Sequence, residues 1–334
     1  MRYDTLQLIL IVSFLSFTGC KAQKPFGENY LQVNKIIPLP NVKGRIDHLD
    51  INLREQVMYV AALANNSVEV VDLKNGKVIH SIRGLDEPQG VCYIPQNHEI
   101  FITNGGNGAC YFFNASSFEK TAEVHLSSDA DNARYDSAGR KIFVGYGEGG
   151  IAVIDVSTHK QTNDVKLPSH PEGLQFDYTL NRILVNVPGK NMIGLIDLKQ
   201  FKLGIKWSLH FQTGNFPIAV DVLHHYAFTG CRHPAKLVVV NTKNGEEVST
   251  HDIVNDVDDL YFDAEKGRIY VSGGGGFVNI FQQDTAFDLR QIANIPAGNG
   301  ARTSLFVPQL KIFVLAQPSS PGNTAQLIIY NLSR

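Results

Sequence analysis

The chain of 334 residues carries a formal net charge of -2, with 19% charged and 43% hydrophobic residues and no block of like charge along it. That balance describes a folded body and removes the simple electrostatic footprint of a nucleic-acid binder, which needs a basic patch or stripe. A local anion site stays open, because net charge says little about one cleft.

At the N-terminus Arg2 precedes an apolar run of 12 residues, Leu6 to Phe17, followed by Thr18, Gly19 and Cys20. At about 1.5 Å per residue such a run falls short of a roughly 30 Å hydrocarbon core, so a cleaved secretory signal is expected over residues 1–20. The tetrapeptide FTGC resembles the bacterial lipobox, whose cysteine becomes the lipid-bearing N-terminus, although Phe17 stands where that pattern prefers Leu. This resemblance implies export, lipid attachment at Cys20 and anchoring to the bacterial cell envelope, on its periplasmic or outer-membrane face. Ordinary secretion with an incidental Cys20 is the alternative. Residues 21–29, KAQKPFGEN, then read as a polar tether.

Beyond the tether the chain repeats. Apolar triplets recur as MYV (58–60), IFI (100–102), IFV (142–144), ILV (183–185), YAF (226–228), IYV (269–271) and IFV (312–314), with centres 42, 42, 41, 43, 43 and 43 residues apart. After each comes a Gly- or Asn-rich break and a second apolar run such as VEVVD, IAVID or LIIYN. Short runs of Val, Ile, Phe and Tyr bounded by polar turns are strands. Each unit reads as four of them, for example NARYD, KIFVGY, IAVIDV and TNDVKL in the third. Four antiparallel strands repeated at this period mark propeller blades.

The seventh unit stops after its third strand, and YLQVNKIIPL (Tyr30 to Leu39) is available to supply the fourth. Pairing the two termini in one blade closes the ring and removes exposed edges. The expected fold is therefore an all-β seven-bladed β-propeller over residues 30–334, with inner strands near 46, 88, 130, 171, 216, 257 and 301. With no free edge, a monomer is expected.

The segments EPQGVCYIPQNHEIFITN (87–104), HPEGLQFDYTLNRILVN (170–186) and IAVIDVSTHK (151–160) give the chain a resemblance to the YVTN-repeat propellers over nearly all of residues 30–334. Their repeats run P-x-G, apolar strand, polar turn, Y-V-T-N and V-x-V-I-D. Such motifs are structural, so the resemblance implies a fold more than a function. The resembled family includes surface and periplasmic proteins without known chemistry, nucleic-acid binders, and distant relatives that are lyases or lactone hydrolases.

Function must come from a site. In a propeller the inner strands start around one mouth of the central channel. Counting back from each triplet gives the pairs Asp47-His48, Gln89-Gly90, Asp131-Asn132, Glu172-Gly173, Asn215-Phe216, Asp258-Asp259 and Ala301-Arg302. Four carboxylates brought that close repel, and something must compensate: a cation, bound protons, or Arg45, Arg134 and Arg302. A hard ion such as Ca²⁺ or Mg²⁺ would suit oxygen ligands from Asp47, Asp131, Glu172 and Asp258. Otherwise the arginines pair with the carboxylates, and the mouth holds a small-molecule, glycan or protein ligand by charge-assisted hydrogen bonds. A blander role for these aspartates is to satisfy backbone N–H groups in the preceding turns.

No Ser/His/Asp order, nucleophile elbow or Cys/His signature is present. An enzyme acting on carbohydrates or lactones would have to draw on His48, His170, Arg134 and Arg302 at the same mouth. His233, in GCRHP, is a third histidine near the loops of that face. The glycine clusters at 104–108, 145–150 and 272–276 lack the strand-to-helix context of a phosphate loop and are expected to be links between strands. Cys92, Cys110 and Cys231 have no C-x-x-C spacing and are expected to be buried as small apolar residues.

Overall fold

The computed structural model describes residues 25–285 and 287–332. The expected signal segment with Cys20, and residues 21–24 of the tether, lie outside the described residues. The remainder of the tether is not a free spacer, which corrects the reading of 21–29: Phe26 and Asn294 exchange backbone hydrogen bonds of 3.2 and 2.9 Å. Gly27, at φ 72°, permits this docking, because a Cβ there would meet Ile292 O at 2.4 Å.

Seven four-stranded antiparallel sheets make up the described chain. Six are built from consecutive strands, with inner strands Leu49–Asn52, Pro88–Ile94, Ala130–Asp136, Leu174–Asp177, Thr213–Asp221 and Val257–Asp263 in blades one to six. Blade seven runs Ser304–Val307, Ile312–Gln317, Ala325–Leu332 and finally Leu31–Leu39. The N-terminal strand pairs antiparallel with the C-terminal one from Leu31↔Leu332 to Leu39↔Ala325. The ring is closed, and the protein is an all-β seven-bladed propeller.

Burial follows from this arrangement. Middle strands are covered on both faces by neighbouring blades, as in Glu99–Asn104, where every residue is buried. Outermost strands face solvent, and in Lys160–Lys166 only Val165 is buried. The core is divided accordingly into seven apolar wedges, one between each pair of neighbouring blades. One wedge joins Ile37 and Leu39 to Val42, Ile46 and Met58, so ring closure and the first blade share a core.

Pairing within each blade sets which residues are equivalent. Asn52↔Val57, Ile94↔Glu99, Asp136↔Lys141, Asp177↔Arg182 and Asp263↔Arg268 occupy one position, and Asp221↔Tyr226 and Val307↔Ile312 share it. In blades five and seven the apolar triplets are therefore residues 227–229 and 313–315, one later than the sequence suggests. Tyr226 and Ile312 are apolar at a place usually held by a polar residue, which lengthened each apolar run at its head. The strand-start pairs in these two blades become Phe216-Pro217 and Arg302-Thr303 in place of Asn215-Phe216 and Ala301-Arg302. Asn215 is buried between blades, with Nδ2 donating to Asn186 Oδ1 at 2.9 Å and Met192 O at 3.0 Å. Ala301 is buried in the wedge between blades six and seven.

Candidate functional site at the channel mouth

With the corrected register, the first ring at the mouth is Asp47, Gln89, Asp131, Glu172, Phe216, Asp258 and Arg302. The second is His48, Gly90, Asn132, Gly173, Pro217, Asp259 and Thr303. Crowding between blades decides the second ring. A Cβ on Gly90 would meet Asp131 O at 2.5 Å, and one on Gly173 would meet Phe216 O at the same distance. The next blade's strand start leaves no room there. Hydrogen bonds lock the same junctions: Thr103 Oγ1 donates to Asp131 O at 2.7 Å, Asn186 Nδ2 to Phe216 O at 2.9 Å, and Ser272 Oγ to Arg302 O at 2.7 Å. These three donors occupy one position in blades two, four and six. Blades one, three, five and seven carry Ala61, Gly145, Gly230 and Ala316 there, with His48, Asn132, Pro217 and Thr303 in the second ring; blade six departs from this alternation, carrying Asp259 beside Ser272.

Of the twelve residues singled out in the sequence, all but Gln89, His170 and Arg302 line a cavity of 390 Å³ in the channel. Those three lie outside its lining, and of them His170 reaches a lining residue, Asp131. Gln89 Nε2 donates to Asp129 Oδ1 at 3.0 Å. Arg302 grips Asp256 with both ends of its guanidinium, at 2.7 and 3.2 Å. His170 Nδ1 donates to Gly147 O at 2.6 Å, which directs Nε2 to within 3.4 Å of Asp131 Oδ2.

Arginines hold part of the ring. Arg45 Nη2 lies 3.0 Å from Asp47 Oδ2, and Arg232 Nη2 lies 2.5 Å from Asp258 Oδ1. Arg232 is further fixed by donating to Val257 O at 2.9 Å and by stacking 3.5 Å above the Phe216 ring. Burial nevertheless dominates the acidity of the site. It raises Asp47 to about 7, with Arg45 opposing and Asp131 and Asp259 adding to the rise. Burial and then Asp47 push Asp258 to about 6. Asp259 reaches about 6 by burial, against the opposing pull of His48. For Glu172, burial and the neighbouring Asp131 carry the carboxyl well above its ordinary range. Burial alone would lower the His170 imidazole, but Asp131 and Gly147 O outweigh it and raise it to about 9.

The pairing is incomplete. Glu172 accepts no hydrogen bond and joins no ion pair, and Asp258 Oδ2 is buried without a donor. Arg134 donates to Asn132 Oδ1 at 2.6 Å and to Ala133 O at 3.0 Å, both on its own strand, and has no carboxylate within ion-pair distance. The four carboxylates expected to share an ion are also divided by their partners. Asp47 and Asp258 are engaged by arginines, whereas Asp131 and Glu172 converge on His170, the three ligand atoms lying within 4.8 Å of one another. His48 lines the cavity with Nε2 4.0 Å from Asp47 Oδ1, and His233 is exposed outside that lining.

Sequence reasoning passed over Arg232, Asp256 and Asp129. Arg232 sits at the end of Tyr226–His233, a strand-two that runs longer than its counterparts and reaches the next blade's strand start. Asp129 and Asp256 each precede an inner strand by one residue and take positive φ, 39° and 55°. Glu87, at φ 50°, holds the same place before Pro88 in blade two, so a non-glycine residue takes the left-handed region at three equivalent places, a feature visible only in the backbone. The glycine clusters do link two strands of one blade, and the three cysteines are buried, with burial pushing each thiol upward in pKa.

No family model and no curated protein matches the chain. Solved structures do. A chain of Kuenenia stuttgartiensis hydrazine synthase superposes with a TM-score of 0.73 at 13% identity, over 90% of this chain and 98% of that one. A chain of the mitotic checkpoint complex superposes with a TM-score of 0.76 at 15% identity, over 99% of this chain and 100% of that one. At such identities the likeness establishes the propeller fold and leaves the contents of the mouth to its own chemistry.

Proposed function

We propose that the protein is an exported, lipid-anchored binding propeller, kin to the YVTN-repeat proteins, whose channel mouth holds a small donor-rich ligand: an amine, a polyol or the end of a glycan, free or carried on a protein partner. The observation that carries this reading is Asp258 Oδ2, buried without a donor in the same cavity as the unpartnered Glu172. A buried acceptor left empty costs about 1–3 kcal/mol, more for a charged group, so a ligand that supplies donors recovers it. The arginines at the mouth are largely spent on Asp47, Asp256 and Asp258, which leaves acceptors in surplus.

Binding is the reading favoured over an enzyme at the same mouth, because the unfilled buried acceptor calls for a ligand that supplies donors. Thermal shift with glucosamine, N-acetylglucosamine, spermidine and xylitol tests it. At least one should raise the melting temperature of the parent and fail to do so in the Glu172→Gln, Asp258→Asn double variant. No response in the parent, or an equal response in the variant, would contradict it. For the anchor, Cys20→Ser should abolish incorporation of labelled fatty acid and release the protein from the membrane fraction; unchanged labelling would refute that part.

A further inference from the structure

We propose that Asp131, His170 and Glu172 form a three-ligand site for a divalent transition-metal ion of the zinc or manganese class, with its open position toward the channel. This deepens the reading of the mouth as a binding site and rests on it.

The geometry supports the site in three ways. First, Asp131 Oδ2 and His170 Nε2 are 3.4 Å apart. Two ligands at about 2.1 Å from zinc, set at a tetrahedral angle, stand about 3.4 Å from each other. Glu172 comes within 4.8 Å of both and has no hydrogen bond to break in closing the remaining distance. Second, the histidine is oriented from behind: Nδ1 donates to Gly147 O at 2.6 Å, with Asp129 Oδ2 3.6 Å away. Metal-bound histidines are held in this way, with the outward N–H on a carbonyl or carboxylate and the other nitrogen turned to the ion, which here displaces the Nε2 proton held toward Asp131. Third, the acceptors beside the site are unfilled. Glu172 has no partner, and Asp258, whose side chain is 10% exposed, keeps a buried oxygen without a donor in the same cavity. Among the described residues no other group of three or more His, Cys, Asp or Glu side chains is so arranged.

The nitrogen ligand selects the metal. Calcium and magnesium take oxygen ligands, calcium six to eight of them, and a three-residue set containing imidazole suits neither. Mixed imidazole and carboxylate donors with open positions suit zinc, manganese or iron(II).

Calorimetric titration of the full, tag-free chain after chelator treatment, at pH 7.5, with ZnCl₂, MnCl₂, CaCl₂ and MgCl₂ in turn, tests the site. One zinc or manganese ion per chain, and no saturable heat with calcium or magnesium, is expected. Glu172→Gln disturbs no hydrogen bond and should leave the melting temperature of the metal-free protein at or above that of the parent while weakening zinc at least tenfold. His170→Gln should do the same to zinc, and His48→Gln and His233→Gln should not. Cobalt(II) should give the visible absorption of a four- or five-coordinate nitrogen–oxygen site in the parent and lose it in His170→Gln. Absence of zinc and manganese binding, or calcium binding that survives His170→Gln, overturns the proposal. If zinc fails while an amine or sugar still shifts the melting temperature through Glu172 and Asp258, only the metal is lost; if all fail, the reading of the mouth falls with it.

Discussion

Replacing Asp258 by Asn should stabilise the propeller, and increasingly so as the pH rises. The carboxyl is held near 6 against an ordinary 3.8, first by burial and then by Asp47, with Arg232 offsetting only part of the rise. A group whose pKa is raised on folding contributes stability that is full below its unfolded value and lost as the pH climbs through the folded value. For Asp258 that window runs from about pH 4 to about pH 7. Each tenfold change in acidity is worth about 1.4 kcal/mol, so ionising this residue in the fold costs about 3 kcal/mol. Asn keeps the shape and one acceptor for Arg232 and loses the charge. About 2 of those 3 kcal/mol fall between pH 4.5 and pH 8, and in a domain of this size about 1 kcal/mol moves the melting temperature by roughly 2 °C, so the gap between variant and parent should widen by about 4 °C over that range. Differential scanning calorimetry of both proteins across that range reads the gap directly. A gap that stays constant with pH, or one that shrinks, would refute the argument that burial outweighs Arg232 at this position. Stability surrendered by charged groups at a binding mouth is the usual trade between function and stability.

Other consequences concern the ring and its junctions. Deleting residues 30–39 removes the strand that carries the buried Leu31, Ile37 and Leu39 and should abolish the cooperative unfolding transition in urea; a ring that still unfolds in one sharp step would show that closure is dispensable. Ile37→Ala, at a fully buried position, should cost about 2–5 kcal/mol, seen as a lower urea midpoint with little change in slope. Gly173→Ala would place a Cβ 2.5 Å from Phe216 O and should destabilise by about 1–3 kcal/mol, whereas Gly84→Ala, with open space around it, should cost only the strain of its positive φ. Asn186→Ala removes the amide that donates to Phe216 O, Pro217 O and Thr229 Oγ1 and accepts from Asn215 Nδ2; because Gly173 N–H still reaches Phe216 O and Thr229 Oγ1 still reaches Pro217 O, a loss of about 1 kcal/mol by the same urea measurement is expected.

The fold was legible because a propeller repeats the same physical problem seven times. Middle strands buried on both faces must be apolar throughout, and turns must be polar, so period and closure are written in residue type alone. Register was less legible. Tyr226 and Ile312 satisfy the local rule for a strand and hide a one-residue offset that only cross-strand pairing reveals. At the mouth, Asp47, Asp131, Glu172 and Asp258 could be found because counting back from the apolar triplets puts a carboxylate at the same position in four of the seven units. Their division between Arg45, Arg232 and His170 could not, since it depends on how far each loop carries its side chain toward the neighbouring blade. Arg232 shows the limit most clearly. It lies in a sequence that reads as the end of a strand, and only the blade junction turns it toward Asp258 and Phe216.

The most direct measurement is calorimetric titration of glucosamine and spermidine into the parent and into the Glu172→Gln, Asp258→Asn double variant at pH 7.5. A channel mouth that binds through its unfilled carboxylates gives saturable one-site binding to the parent, weakened at least tenfold in the variant. Equal affinity in the two proteins, or no binding of either compound to the parent, would contradict the assignment of the mouth as the functional site.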